Sequence, residues 1–180
     1  MMQLREACPD DICQIADVIA SAFCDVAERF GFTAVTLPSH PAFTTDLAIS
    51  RTIERGTIFL LPESKDRNAR ELRGCVGIRS PHNSICALEK LAVLPAYRHL
   101  GLGSKLIEEA IRFSKRLGAK RLEAAIVAEH ANLKRRYEGQ GFIWQRTEYF
   151  PHLPFLVDFL YLETELQSRR QIIVDGDSYE

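Results

Sequence analysis

The stretch Leu88–Leu106, LEKLAVLPAYRHLGLGSKL, constrains this chain more than any other. An extended apolar run feeds a glycine-bearing loop, and the loop opens an amphipathic helix. Leu102, Leu106, Ile107, Ala110, Ile111 and Leu117 recur at helical spacing, with Lys105, Glu108, Glu109, Arg112, Lys115 and Arg116 on the other face. Arg98–Gly103 reads R-x-x-G-x-G. Gly101 and Gly103 let the backbone approach a ligand closely and take unusual φ values. The following helix presents unpaired N–H groups and the positive end of its dipole. Arg98, His99, Leu100, Gly101, Leu102, Gly103 and Ser104 therefore read as an anion cradle suited to a pyrophosphate. A plain turn with a close helix–strand contact is the other reading of two isolated glycines. The spacing excludes a P-loop, which needs G-x-x-x-x-G-K-[ST]. It also excludes a dinucleotide fingerprint, because Leu106 stands where a third small residue is required.

The pattern around this segment is mixed. Gln3–Ala7 reads as a short strand, and Cys8-Pro9-Asp10-Asp11 as a helix start. Ile12, Ile15, Ala16, Ile19, Ala22 and Phe23 continue that helix. Gly31–Pro41 is loop-like, and Phe43–Arg55 is helical up to Gly56. Three strands follow at Thr57–Leu61, Leu72–Ile78 and Ser84–Val93. They are joined by a charged hairpin tip at Pro62–Arg70 and a turn at Ser80–Asn83. Beyond the helix that Gly118 ends come a strand at Arg121–Val127, a short helix at His130–Glu138, and strands at Phe142–Phe150 and Phe155–Glu163. The reading is an α/β (α+β) chain with one domain over 1–166 and a mobile tail at 167–180.

At 180 residues, with 23 Lys+Arg against 24 Asp+Glu, nothing draws the chain in bulk to nucleic acid or anionic lipid. The five cysteines are Cys8, Cys13, Cys24, Cys75 and Cys86, without CxxC spacing, which argues against a disulfide framework or a zinc site. The start MMQLREACPDD has no apolar signal core, and no apolar run approaches the roughly 20 residues that span a bilayer. The expectation is a cytoplasmic protein with reduced thiols and no metal.

LEKLAVLPAYRHLGLGSKL, together with YEGQGF at Tyr137–Phe142, resembles the GNAT superfamily of N-acetyltransferases. The shared signature is [Q/R]-x-x-G-x-[G/A], met by Arg98–Gly103, and the order of elements matches over about Gln3–Glu163. The resemblance implies a mixed, mostly antiparallel central sheet with splayed middle strands and helices on both faces. It implies acetyl-CoA as co-substrate. The strand matching Leu88–Val93 would part from the one matching Arg121–Val127, and the pantetheine arm would pair with backbone near Leu91, Ala92 and Val93 as an added strand. The family's bulge in this strand would aim an N–H at the thioester carbonyl and stabilise its oxyanion.

Tyr137 matches the family tyrosine that protonates the leaving thiolate, a transfer open to a phenol of pKa about 10; the alternative is aromatic packing. Glu89 is the candidate base. Two residues before Leu91, it is expected to share a strand face with Leu91 and Val93. The alternative is a solvated carboxylate or a salt bridge with Lys90 or Arg121. Where the family often has Asn, this chain has His130, with Asn132 two further on, so either is a candidate for the pantetheine contact. Lys134, Arg135 and Arg136 are candidates for the 3′-phosphate, or a solvated helix face. Cys75 and Cys86 read as core residues rather than nucleophiles.

Phe150-Pro151-His152-Leu153-Pro154-Phe155 is a stiff turn that lines the acceptor pocket, a subunit contact or neither. The resemblance implies that the acceptor pocket is shaped by Phe30–Phe43 and Tyr149–Phe155. The function implied is acetyl transfer to a primary amine of a small molecule or peptide by direct attack in a ternary complex. A turnover-silent CoA-binding sensor and an aminoacyl-tRNA-acetylating toxin are the alternatives, the latter disfavoured by the charge of -1. Oligomerisation reads as monomer or homodimer.

Overall fold

The computed structural model describes residues 3–62 and 71–164. The tail expected at 167–180, and the hairpin tip beyond Pro62, lie outside the described residues. The elements run β1 (Leu4–Glu6), α1 (Ile12–Phe30), α2 (Asp46–Glu54), β2 (Thr57–Pro62), β3 (Gly74–His82), β4 (Ile85–Val93), α3 (Leu102–Arg116), β5 (Arg121–Val127), α4 (Ala131–Glu138), β6 (Ile143–Tyr149) and β7 (Leu156–Glu163). The strands form one sheet in the order β1-β2-β3-β4-β5-β7-β6. Every neighbouring pair is antiparallel except β4 and β5, which run parallel.

Local chemistry sets most element ends. A bidentate Arg5–Asp11 ion pair and the Cys8 N–H bond to Asp11 lock the entry to α1. α1 continues past Phe23 to Phe30, with Ala27 buried, and stops at Gly31 in the left-handed conformation, where the loop is expected. Pro41–Phe43 is a separate 3-10 turn rather than the start of α2, which begins where Thr45 accepts the Ala48 N–H. The turn expected at Ser80–Asn83 is also displaced. β3 continues to His82, and Asn83 and Ser84, with φ of 50° and 64°, make the tight turn. A register shift between Arg79 and His82 accommodates Pro81, which has no N–H for the ladder.

The sheet separates two cores. On one face α1 and α2 bury Ile15, Ile19 and Ile49 against Phe59, Leu61, Cys75 and Ala92. On the other, α3 buries Leu106, Ile107 and Ala110 against Val76, Ile78, Leu88, Leu122 and Leu160, with Tyr137 of α4 in the same cluster. Gly77 lets the strands close up, since a Cβ there would stand 3.0 Å from Thr57 and 3.1 Å from the Glu89 carbonyl. α4 is fastened by Asp158 of β7, which is 3% exposed. Asp158 accepts from Lys134 of α4 at 2.8 Å, from the Trp144 indole at 3.2 Å and from Thr147. Burial pushes its carboxyl up, but these donors outweigh that and hold it below the usual range.

The network therefore contributes stability at pH values above the unfolded aspartate pKa of about 3.9 and loses it as pH falls below. Replacing Lys134 by Met leaves that buried carboxylate without its cation. Urea denaturation at pH 7 is expected to show a loss of about 3 kcal/mol, with a flatter acid limb than the wild type.

Candidate active site

Two strands that should continue pairing do not. β4 and β5 pair from Ile85↔Arg121 to Leu88↔Ala124 and then separate, while β5 stays paired to β7 through Val127. Beyond Leu88, β4 keeps β3 on one side and, among the described residues, has no strand on the other. A bulge lies at the point of separation. Cys75 faces Ala92 but Gly77 faces Glu89, so Lys90 and Leu91 together oppose Val76, and Lys90 takes a φ of 48°. A non-glycine residue in this region is strained and persists because its surroundings fix it.

The loop after β4 is equally irregular. His99 and Gly101 are left-handed, with φ of 64° and 80°. No side chain caps the start of α3, where Gly101 is the N-cap, so its first N–H groups are open to a ligand. A Cβ on Gly103 would meet only Val93, at 3.8 Å; the protein leaves space there that its own packing does not need. Arg98 turns away from this space. Its guanidinium bonds Asp25 and the Ala22 carbonyl of α1, and its Nε bonds the Val93 carbonyl at 3.3 Å.

A cavity of about 730 Å³ passes through the gap between β4 and β5. Leu91, Val93, Ile107, Leu133 and Tyr137 line it on the α3–α4 side; Phe23, His40, Phe155 and Phe159 line it on the α1 side. Of the sequence candidates, Tyr137, Leu91, Val93, Arg98, His99, Gly103, His130 and Asn132 meet at this cavity. Ala92 points the other way, into the α1 core, and offers only backbone. Leu100 is exposed, Leu102 packs against the α3 core, and Ser104 accepts a bond from Gln140 at 3.2 Å.

Glu89 does not share a face with Leu91 and Val93. The extra residue in the bulge shifts the alternation by one, which leaves Leu91 and Val93 against the α3 core and Glu89 on the opposite side. There Glu89 pairs with Arg79 and accepts from the Thr57 hydroxyl at 3.0 Å. Its salt-bridge partner is thus neither Lys90 nor Arg121; Arg121 pairs with Glu163 at 2.6 Å. Glu89, Thr57 and Arg79 line a smaller hollow of about 460 Å³ that meets the main cavity at Leu88, Lys90 and Ala125.

Tyr137 is buried, edge-on to Phe142, and burial raises its phenol well above 10. His130 caps α4: its Nδ1 accepts the Leu133 N–H at 3.3 Å. Burial, then the charge of Arg29, hold its pKa below 6.5. Asn132 is bonded by Arg135 at 2.6 Å, and Lys134 is taken by Asp158. Of the three basic residues on α4, Arg136 faces the cavity. Among the described residues no group of His, Cys, Asp and Glu is arranged to hold a metal ion.

Residues 33–142, more than half of the chain, match the model of the "Acetyltransferase (GNAT) family". The chain belongs to the GNAT family of acetyltransferases. No curated protein matches it, but its fold is shared with many GNAT structures. An acetyltransferase of the GNAT family from Staphylococcus aureus Mu50 is 19% identical, with a TM-score of 0.67 over 92% of this chain and 100% of that one. The ribosomal-protein-S18-alanine N-acetyltransferase of Escherichia coli is 15% identical, with a TM-score of 0.69 over 100% and 99%. A Bacillus subtilis acetyltransferase in complex with CoA is 17% identical, with a TM-score of 0.62 over 91% and 99%.

The GNAT signature directs attention to the loop; on the α1 side the resemblance marks the segments Phe30–Phe43 and Tyr149–Phe155 but singles out no residue in them. His40 and Asp25 come from segments without a motif, and Lys90 gives no sign in sequence that it will occupy a bulge. His40 is 7% exposed, its Nδ1 accepts the Ala42 N–H at 3.2 Å, and burial, then the charge of Lys90, lower its pKa. With Nδ1 engaged as acceptor, the neutral rings of His40 and His130 carry their proton on Nε2. Two-dimensional nitrogen–proton spectra are expected to show both as Nε2–H tautomers that titrate below pH 6.5. Protonation of each opposes folding, so stability is lost as pH falls through 6.5 and below.

Proposed function

We propose that this protein transfers an acetyl group from acetyl-CoA to a primary amine of a small molecule or peptide, as an N-acetyltransferase that works by direct attack in a ternary complex. The observation that carries this reading is the parting of β4 from β5 beside the uncapped start of α3. A strand edge and an anion site lie in sequence along one cavity, which suits a ligand with a pyrophosphate at one end and an amide-bearing arm at the other. The complex of the Bacillus subtilis relative with CoA supports that choice.

Bound acetyl-CoA supplies an activated thioester. In this reading the N–H groups of the His99–Ser104 loop hold the pyrophosphate, and the free edge of β4 at Leu91–Val93 takes the arm. An N–H at the Lys90–Leu91 bulge polarises the acetyl carbonyl. His130, a neutral donor at Nε2, and Asn132 flank the arm. Tyr137 gives its proton to the departing sulfur. Burial keeps the phenol protonated across the working range, so it has a proton to give. Glu89, oriented by Arg79 and Thr57, receives the amine proton through water in the smaller hollow. An amine panel with free-thiol detection, beside calorimetry with acetyl-CoA, tests the whole reading. Thiol release on an amine is expected, and tight binding without turnover across a broad panel would favour a CoA sensor instead.

Two substitutions separate the parts. Gly103→Asp fills space that only Val93 borders, so it leaves the fold intact. It sets a negative charge against the pyrophosphate, and calorimetry is expected to show no acetyl-CoA binding. Unchanged affinity would sink the cradle assignment. Tyr137→Phe keeps the packing against Phe142 and removes the acid. Steady-state kinetics are expected to show kcat lower by roughly 10²–10⁴ with acetyl-CoA affinity within a few fold.

A further inference from the structure

Among the described residues the α1 side of the cavity contains two buried or half-buried hydrogen-bond donors without acceptors; Arg29, which also borders it, is exposed and lies over the Phe30 ring. His40 is fixed in place by ring contacts with Phe23, Phe32 and Phe43, at centroid distances of 6.0, 5.1 and 6.0 Å. Its Nδ1 is engaged by Ala42, so its cavity edge presents an N–H, for which no described residue supplies an acceptor. Lys90 is the second donor. The bulge fixes its backbone, and its side chain borders both hollows at the strand gap. Among the described residues no carboxylate pairs with it; the adjacent Glu89 is engaged by Arg79 and Thr57. Both donors line the same cavity, and the Lys90 charge acts on His40. Burial holds the Lys90 ammonium below the usual lysine range, as expected of a cation with no counter-charge nearby.

Donors held in a half-dry wall are costly unless a ligand satisfies them. The cavity itself has little to offer. Among the described residues Asp25 is the one carboxylate in its lining, and it is tied to Arg98. A bare ammonium entering this half therefore meets no free anion, whereas a carboxylate meets two donors. Around them the wall is apolar: Phe23, Leu153, Phe155 and Phe159.

We propose that Lys90 and His40 form the carboxylate subsite of the acceptor pocket, and that the acceptor is a hydrophobic amino acid: a small amine that carries a carboxylate and an apolar body. This rests on the acetyltransferase reading and narrows it. Lys90 Nζ and His40 Nε2 each donate to the carboxylate, the side chain lies against the phenylalanines, and the amine is left facing the strand gap where the thioester arrives. Neither residue accepts a proton in the reaction.

The test separates the subsite from the chemistry. Calorimetry on the CoA-saturated protein compares 3-phenylpropanoate with 3-phenylpropanamide, a matched pair that differs in charge. The acid is expected to bind about tenfold tighter or more, as a charge-assisted pair requires. Lys90→Met is expected to erase that preference, Lys90→Arg to keep most of it, and His40→Phe, which preserves the ring packing, to reduce it several fold. Equal affinity for acid and amide in the wild type, or no binding of either, overturns the proposal, and that comparison does not depend on any variant folding. A preference that survives Lys90→Met overturns it, as does inorganic phosphate competing better than the acid. So does loss of CoA affinity in Lys90→Met, which would place the lysine on the cofactor. Turnover adds a further check with L-phenylalanine and 2-phenylethylamine. If Lys90→Arg is as inactive as Lys90→Met on both, the lysine moves protons and the subsite is wrong. Binding of the acid with no thiol released from any amine would instead fail the acetyltransferase reading and leave the subsite standing.

Discussion

The site depends on a hydrogen-bond ladder that stops. Parallel strands β4 and β5 pair for four residues and then leave the β5-facing side of β4 without a strand partner among the described residues. Buried backbone polar groups are almost always paired, so an edge opened in the middle of a sheet is a structural cost that must be met from outside the chain. The surrounding architecture maintains the opening. β3 pairs with β4 through the bulge, and β7 pairs with β5 along its full length. The two cores press on opposite faces of the sheet. The gap is a fixed slot between two supported strands, and the cavity is the volume that slot connects.

Electrostatics divides the slot into two ends. The α3 end offers backbone: left-handed His99 and Gly101, an uncapped helix start and the space over Gly103, the proposed seat of a pyrophosphate. The α1 end offers side chains, with His40 and Lys90 as donors among aromatic rings. Tyr137 lies between them on the α4 side, fastened indirectly by the Asp158–Lys134 bond that holds α4 to β7.

Much of this was legible in sequence because it repeats over short range. The helix of Leu102–Arg116 follows from its apolar spacing, and the loop before it from two glycines after an extended run. The position of Glu89 was not legible. Alternation along a strand holds only while the strand is regular, and the one residue that breaks it here is a lysine with positive φ, a conformation whose usual signal is glycine. The tight turn at Asn83–Ser84 was misplaced for a related reason: Ser80-Pro81 is a strong turn signal, but a bulge lets β3 carry the proline. His40 lay in a stretch with no periodicity, where only tertiary packing of three phenylalanines gives the ring its place.

Arg98 is the most basic residue of the glycine signature, yet its guanidinium is bound to Asp25 and the Ala22 carbonyl of α1. An anion seated over the loop is therefore met by amide dipoles and a helix end rather than by a mobile cation. Surface ion pairs fade once the Debye length shortens to about 8 Å at physiological ionic strength. Directed N–H groups in van der Waals contact with their ligand are screened far less. A ligand held in the proposed way is accordingly expected to bind with an affinity that depends little on the salt content of its surroundings, and to be displaced poorly by free phosphate or chloride.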